Sequence, residues 1–193
     1  MDRHELHGQL VGLDLSERAQ EQDARERMVE LLVSGQDCFS RSCFPAHFTG
    51  SSLVVSSDGR QVLLHHHRKL DRWLQFGGHC DGDENVLRVA QRETYEESGI
   101  EGLILASSRP FDLDIHPIPE KDNEPAHWHY DVRYVLIAPE GARYETSAES
   151  LELRWFHAED LAALSLDSGL RRLLDKWQKL LARRLAHDGP GPA

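Results

Sequence analysis

GHCDGDENVLRVAQRETYEESGI, residues 78–100, is the stretch from which the fold of this chain can be read. Its middle carries helix formers between two stop signals. The pattern predicts a helix from about residue 85 to residue 98, with Asp83 as the cap and Gly99 as the C-terminal stop. Val86, Leu87, Ala90 and Thr94 form the stripe expected to face a core. Glu93, Glu96 and Glu97 stand at i, i+3 and i+4, within a wedge of about 100°. Like charges at that spacing repel. Glu97 also projects within about 20° of Val86 and Ala90, so a carboxylate lies on the apolar stripe. A buried, unpaired charge is costly, and rule-breaking of this kind marks a functional site.

A hard divalent cation resolves the conflict. Mg²⁺ or Mn²⁺ takes oxygen ligands, neutralises clustered carboxylates and bridges phosphate oxygens. The competing reading is an acidic solvated face paired with Arg88 and Arg92. The flanking residues decide between them. The stretch fits G-x5-E-x7-R-E-U-x-E-E-x-G-U, with U a bulky apolar residue. Gly78, Glu84, Arg92, Glu93, Glu96, Glu97, Gly99 and Ile100 match, and Thr94 stands where an aliphatic residue is usual. Fixed spacing over so many positions makes chance a poor explanation. The stretch resembles the signature of the Nudix hydrolase family, closely over 77–100 and more loosely over about 51–165.

The resemblance implies an α/β fold: a Nudix-like α/β/α sandwich with a mixed β-sheet and the box as loop, helix and loop. It implies Glu93, Glu96, Glu97 and the Gly77 carbonyl as metal ligands, with Mg²⁺ or Mn²⁺ as cofactor. Arg92 is expected to pair with Glu84 and orient Glu93, which also acts on the attacking water. A further carboxylate from outside the box is expected, with Glu149 and Glu152 as candidates. The activity implied is hydrolysis of a diphosphate linkage in a nucleoside diphosphate-X or a nucleoside triphosphate. A homodimer through the terminal helices is a candidate assembly.

Outward from the box, "SERAQEQDARERMVELLVS" (16–34) reads as a helix capped by Ser16, and 35–50 as a loop. Strand signals begin at "SSLVVSS" (51–57), and "DG" turns the chain into "RQVLLHHHR". A Gly-rich loop leads into the box. Residues 103–107 and 111–115 read as short strands, and Pro117 and Pro119 as loop markers. "HWHYDVRYVLIA" (127–138) alternates strictly, and "LELRWF" is a further strand. "AEDLAAL" reads as a short helix and 167–186 as an amphipathic one laid on the core. The organisation expected is an N-terminal helical extension (1–44), a catalytic domain (45–165), the packed terminal helix (166–186) and a disordered tail (187–193).

The strand 127–138 carries a second constellation. His127, His129, Asp131 and Arg133 share one face, and His116 in "DIHPIP" joins them if the two strands pair. Three readings stand: a polar sheet face, contact of these residues with phosphate or sugar oxygens of the substrate, and a separate transition-metal site. "HHHRK" (65–69) with Arg68 reads either as a solvated strand end or as an anion-steering rim. Trp73 and Phe76 so close to a Gly-Gly turn read as packing.

The chain has 193 residues and a formal charge of −11, which suits one domain with extensions and argues against nucleic-acid or membrane-surface binding. It shows no apolar run of membrane-spanning length and no signal-peptide order. Three cysteines, Cys38, Cys43 and Cys80, are too few for a disulfide framework, so a cytoplasmic protein with reduced thiols is expected, and the resemblance implies a small-molecule diphosphate substrate. Two alternatives to hydrolysis follow from the resemblance. One is an isopentenyl-diphosphate-isomerase-like enzyme, for which Cys80 would serve. The other is a non-catalytic Nudix-like ligand sensor.

Overall fold

The computed structural model describes residues 1–15, 18–121 and 124–187. In chain order the helices are α1 (Arg3–Val11), α2 (Ala19–Val33), α3 (Val86–Ser98) and α4 (Ser168–His187). The strands are β1 (Ala46–Val55), β2 (Gln61–His67), β3 (Arg72–Leu74), β4 (Phe76–His79), β5 (Ile104–Leu105), β6 (Asp112–Ile118), β7 (His127–Ile137) and β8 (Ser150–His157). A 3-10 turn at Asp160–Ala163 stands where the short helix was expected. The expected Ser16 cap and the tail 188–193 lie outside the described residues.

All ten residues of β1 are buried. It pairs with β2 and β4 antiparallel and with β7 parallel, so it is the centre of a curled, mixed sheet. β7 pairs in turn with β5 and β6, and β2 with β3 and β8. The expected loop over 35–50 therefore ends early, and the strand begins at Ala46 rather than at residue 51. "AHFTG" reads poorly as a strand because Gly50 breaks the pattern. The tertiary structure explains it: a Cβ on Gly50 would lie 2.5 Å from the Val86 carbonyl oxygen, where α3 crosses the strand. Gly50→Ala is expected to cost about 1–3 kcal/mol by forcing the helix off the sheet. A urea unfolding midpoint equal to that of the wild type would contradict this.

Two covering layers complete the sandwich. Alternate residues of a strand face opposite ways. Phe48, Tyr130, Val132 and Tyr134 share a core with Leu6 and Leu10 of α1, Met28 of α2 and Val86 and Ala90 of α3. Leu53 and Val55 meet Leu170, Leu173, Leu174 and Trp177 of α4 on the other side. Each such buried side chain contributes about 1.5–3 kcal/mol. The two N-terminal helices thus belong to the same core as the box helix. α1 was not expected. It is closed by a capping box, in which Asp2 accepts from the amides of His4 and Glu5 while Glu5 accepts from the Asp2 amide.

Two further boundaries differ from expectation. β6 continues through Pro117 to Ile118, which is allowed because β6 is paired on one side only and an edge strand tolerates a missing N–H. The box loop contains β4, whose two glycines permit close contact: a Cβ on Gly77 would sit 2.3 Å from the Ser51 Cβ.

Candidate active site

Helix α3 is capped by Asn85, whose Oδ1 accepts from the Arg88 amide at 3.0 Å, and closed by Gly99 in the left-handed region. Asp83, the expected cap, lies two residues earlier. It accepts from the Asn85 amide at 2.8 Å and from the Arg88 guanidinium. Thr94, the one departure from the box pattern, also finds its reason. Its hydroxyl donates to the Ala90 carbonyl and meets the Ser52 hydroxyl at 2.6 Å, so two buried polar side chains satisfy each other between helix and strand.

The three box glutamates differ in setting. Glu97 is 8% exposed and accepts from the Gly77 amide at 2.9 Å. Among the described residues no lysine or arginine pairs with it. Burial pushes its pKa up to about 8, the Gly77 hydrogen bond opposes that in part, and Glu93, Glu149 and Glu96 add repulsion. Glu93 is half-buried and also raised, first by burial. Its carboxylate fills the space beside Gly78, where a Cβ would stand 2.5 Å from the carboxyl carbon. Glu96 is exposed. Arg92 contacts Glu93 at 2.9 Å and Glu96 at 3.7 Å, and donates to the His79 carbonyl at 3.1 Å. The expected Arg92–Glu84 pair is not the one formed. Glu84 instead meets Arg3 of α1, at 3.5 Å to the guanidinium and 3.2 Å to the amide, because the unexpected α1 occupies that side of the box loop.

Of the carboxylates outside the box, Glu149 acts electrostatically on both Glu93 and Glu97, whereas Glu152 is paired with Arg154 at 2.6 Å. Arg68 donates to the carbonyls of Ala148 and Ser150, and its amide to the Glu149 carbonyl. Arg68 thus anchors the segment that carries Glu149. Three carboxylates plus Glu149 against one guanidinium is an oxygen-rich, under-neutralised site. The residues fit a hard divalent cation.

The second constellation divides. Arg133 is 2% exposed, and all three nitrogens of its guanidinium are engaged, by Asp131, Asp112, Asp114 and the Gly169 carbonyl. Asp131 also accepts from Thr49 and Ser51. Both are interior and structural, which corrects their expected contact with substrate. His116 bonds Asp114 at 2.9 Å. Asp114 is held below the usual carboxylate range: burial pushes it up, but His116, Arg133 and Arg172 outweigh burial. The pairing of β6 with β7 puts His116 opposite His129, and that of β1 with β7 puts His47 opposite His129. His127 and His129 thus gather with His47 and His79, which the sequence reading missed; register across three strands cannot be read from any one of them. Burial, before any neighbouring charge, lowers the pKa values of His47, His79 and His129.

In "HHHRK" the rings are structural. His65 is 2% exposed, bonds Ser150 at 2.8 Å and stacks on Phe76. His66 stacks on Trp73, which packs against Phe156. Burial lowers the His65 pKa from 6.5 to about 4. A depressed histidine contributes stability above its unfolded value that is lost as the pH falls. His65→Gln is therefore expected to blunt the loss of stability between about pH 6.5 and pH 4 by on the order of 2–3 kcal/mol. Parallel melting curves of variant and wild type over that window would refute it.

A mixed sheet between helical layers, with a glutamate-lined helix laid across its central strand, defines an α/β/α enzyme fold built around an acidic site. The sequence profile of the NUDIX domain matches residues 47–177, and the chain belongs to this family. It is a Nudix pyrophosphohydrolase. Solved structures similar to it include a NUDIX-family hydrolase from Clostridium perfringens, with 26% identity and a TM-score of 0.53 over 69% of this chain and 97% of that one. A Caenorhabditis elegans Ap4A hydrolase complex shares 20% identity and a TM-score of 0.58 over 70% and 98%. The NUDIX domain of Shewanella oneidensis NrtR, complexed with ADP ribose, shares 17% and 0.51 over 69% and 87%. No curated protein matches the chain. Among the described residues no helix is long and apolar enough to cross a membrane.

Proposed function

We propose that the protein hydrolyses the diphosphate linkage of a nucleoside diphosphate-X substrate, with a divalent cation, Mg²⁺ or Mn²⁺, held by Glu93, Glu96, Glu97 and the Gly77 carbonyl. The observation that carries this reading is Glu97: a carboxylate 8% exposed, on the core side of its helix, with no cationic side chain beside it among the described residues. A buried carboxylate in that state is costly unless a cation joins it. When bound, the cation neutralises phosphate charge and polarises the linkage.

The chain's own groups divide the remaining work. The raised pKa of Glu93 suits a group that takes a proton from the attacking water at its carboxylate oxygen. Arg92 fixes Glu93 and Glu96 relative to each other and to the His79 carbonyl. Gly77 donates to Glu97 and holds its carboxylate in one orientation. Glu149, steadied by Arg68, is the carboxylate from outside the box.

The isomerase alternative asks Cys80 to move a proton at the substrate. Cys80 is 2% exposed, and burial raises its thiol pKa, so thiolate is scarce. The sensor alternative predicts binding without turnover. The test is a panel of ADP-ribose, sugar nucleotides, dinucleoside polyphosphates, nucleoside triphosphates and isopentenyl diphosphate with Mg²⁺ or Mn²⁺, products identified by mass. Cleavage at the diphosphate that stops on chelation supports hydrolysis. Mass-neutral conversion of the isoprenoid, or no conversion of anything, would sink it.

A further inference from the structure

We propose that His47, His127 and His129 form a transition-metal site of the Zn²⁺ class, separate from the acidic box. Each offers a ring nitrogen, and the three nitrogens lie within 4.8 Å of one another. Their ring centroids form a nearly equilateral triangle, with sides of 4.9, 4.9 and 5.2 Å. The Nε2 atoms of His127 and His129 are 3.3 Å apart. Two imidazole nitrogens bound tetrahedrally at the usual Zn–N distance are separated by about 3.3 Å.

The hydrogen bonds on the far sides of the rings set the chemistry. A carbonyl oxygen only accepts, so His47 carries its proton on Nδ1, which donates to the Cys43 carbonyl at 3.2 Å. His127 likewise donates from Nδ1 to the Pro125 carbonyl at 2.8 Å. Both rings are therefore left with bare Nε2 lone pairs. The His47 Nε2 is buried and has no hydrogen-bond partner. An orphaned buried acceptor is uncommon and calls for an explanation. A ring whose outer N–H is tied to a carbonyl while its inner nitrogen is free is the arrangement found in metal-ligating histidines.

The place in the fold separates this cluster from the box. Gly50 faces α3, since a Cβ there would meet Val86, so the alternating neighbour His47 points to the opposite face of β1. The cluster lacks carboxylates: all three ligands are neutral nitrogen donors, which suit zinc and its neighbours better than magnesium. His79 stands next to the triangle, its ring centroid 5.2 Å from that of His47 and 4.9 Å from that of His129, and is the nearest further ring for the fourth position. An ion there would tie β1 and β7 to the strand that leads into the box.

The test uses the untagged full chain, stripped with chelator and titrated with Zn²⁺ and then Co²⁺. One equivalent is expected to bind, with intense visible Co²⁺ bands of a tetrahedral site. X-ray absorption of the Zn²⁺ form is expected to show at least three imidazole ligands. Glu96→Gln/Glu97→Gln is expected to keep this equivalent, while His47→Gln and His127→Gln each weaken it by about 100-fold. Weak octahedral Co²⁺ bands, an oxygen-only shell, loss of the equivalent in the box variant, or unchanged affinity in the histidine variants would each overturn the proposal. If a histidine variant misfolds, the wild-type spectra decide alone.

Discussion

Glu97→Gln is expected to lower turnover of the cleaved diphosphate by at least about 10²-fold, the scale on which one preorganised electrostatic group acts. The same substitution is expected to make the metal-free protein more stable at neutral pH. The two effects share one cause. The Glu97 carboxyl keeps its proton in the folded chain up to about pH 8, against an ordinary value of 4.5, chiefly because burial disfavours the charge. The folded state therefore binds more protons than the unfolded state between those values, and its stability falls as pH rises through that window. Glutamine keeps an oxygen to accept the Gly77 N–H and has no proton to lose. The stability gap between variant and wild type should be absent below about pH 4 and largest above about pH 8. Comparing the two chains cancels the buried histidines, which act in the opposite direction. Thermal midpoints in chelator at about pH 5 and pH 8.5, beside turnover with Mg²⁺, check both halves. Full activity in the variant, or identical midpoints at the higher pH, would refute the assignment of Glu97 as a ligand position.

The box was legible because its signal is local. The helix period alone put Glu97 on the apolar side, and the structure puts it there at 8% exposure. β2, β7 and β8 were legible through alternation and turn residues, whereas β3 and β4 lie where the sequence reads as a Gly-rich loop. What the sequence concealed depends on long-range contact. "AHFTG" became part of β1 because β7 pairs along all of it and β4 pairs with Thr49 and Gly50, and Gly50 is there for the approach of α3. Arg133 on an alternating strand looks like a residue that meets solvent or ligand, and only the arrival of β6 and α4 shows that it is interior. Glu84 could not be assigned to Arg3 without α1. That helix had a readable sign, Asp2 three residues before Glu5, which is the spacing of a capping box.

The opposite fates of two sets of buried charges explain how one small domain can hold both. Around Glu97 the carboxylates outnumber the cations, a charge balance that suits a bound divalent cation. Around Arg133 the chain supplies its own cations. Arg172 meets Asp112 at 2.9 Å and Asp114 at 2.8 Å. Lys176 joins Glu21 of α2 to Asp112, at 2.5 and 3.4 Å. Strand β6, α2 and α4 are thereby linked through ions as well as through the apolar contact of Leu113 with Met28.

Arg133→Met is expected to destabilise the protein by about 3–5 kcal/mol, the cost of removing one partner from a buried ionic network. Asp112 is 1% exposed, Asp131 3% and Asp114 8%, so the carboxylates left behind cannot be rehydrated without opening the sheet. Arg172 is too far round the cluster to replace the bond to Asp131, since its guanidinium is directed at Asp112 and Asp114. Arg133→Lys should rescue little, because a single ammonium cannot reproduce contacts made from three nitrogens of a planar fork. The contrasting variant is Arg133→Met combined with Asp131→Asn and Asp112→Asn, which removes charge from both sides and should recover part of the loss, as expected when stranded carboxylates rather than lost packing dominate. Urea unfolding of the three chains checks this. A loss within about 1 kcal/mol for Arg133→Met would mean that water or a neighbouring cation enters the cluster freely, and that Arg133 is not the interior anchor of β7.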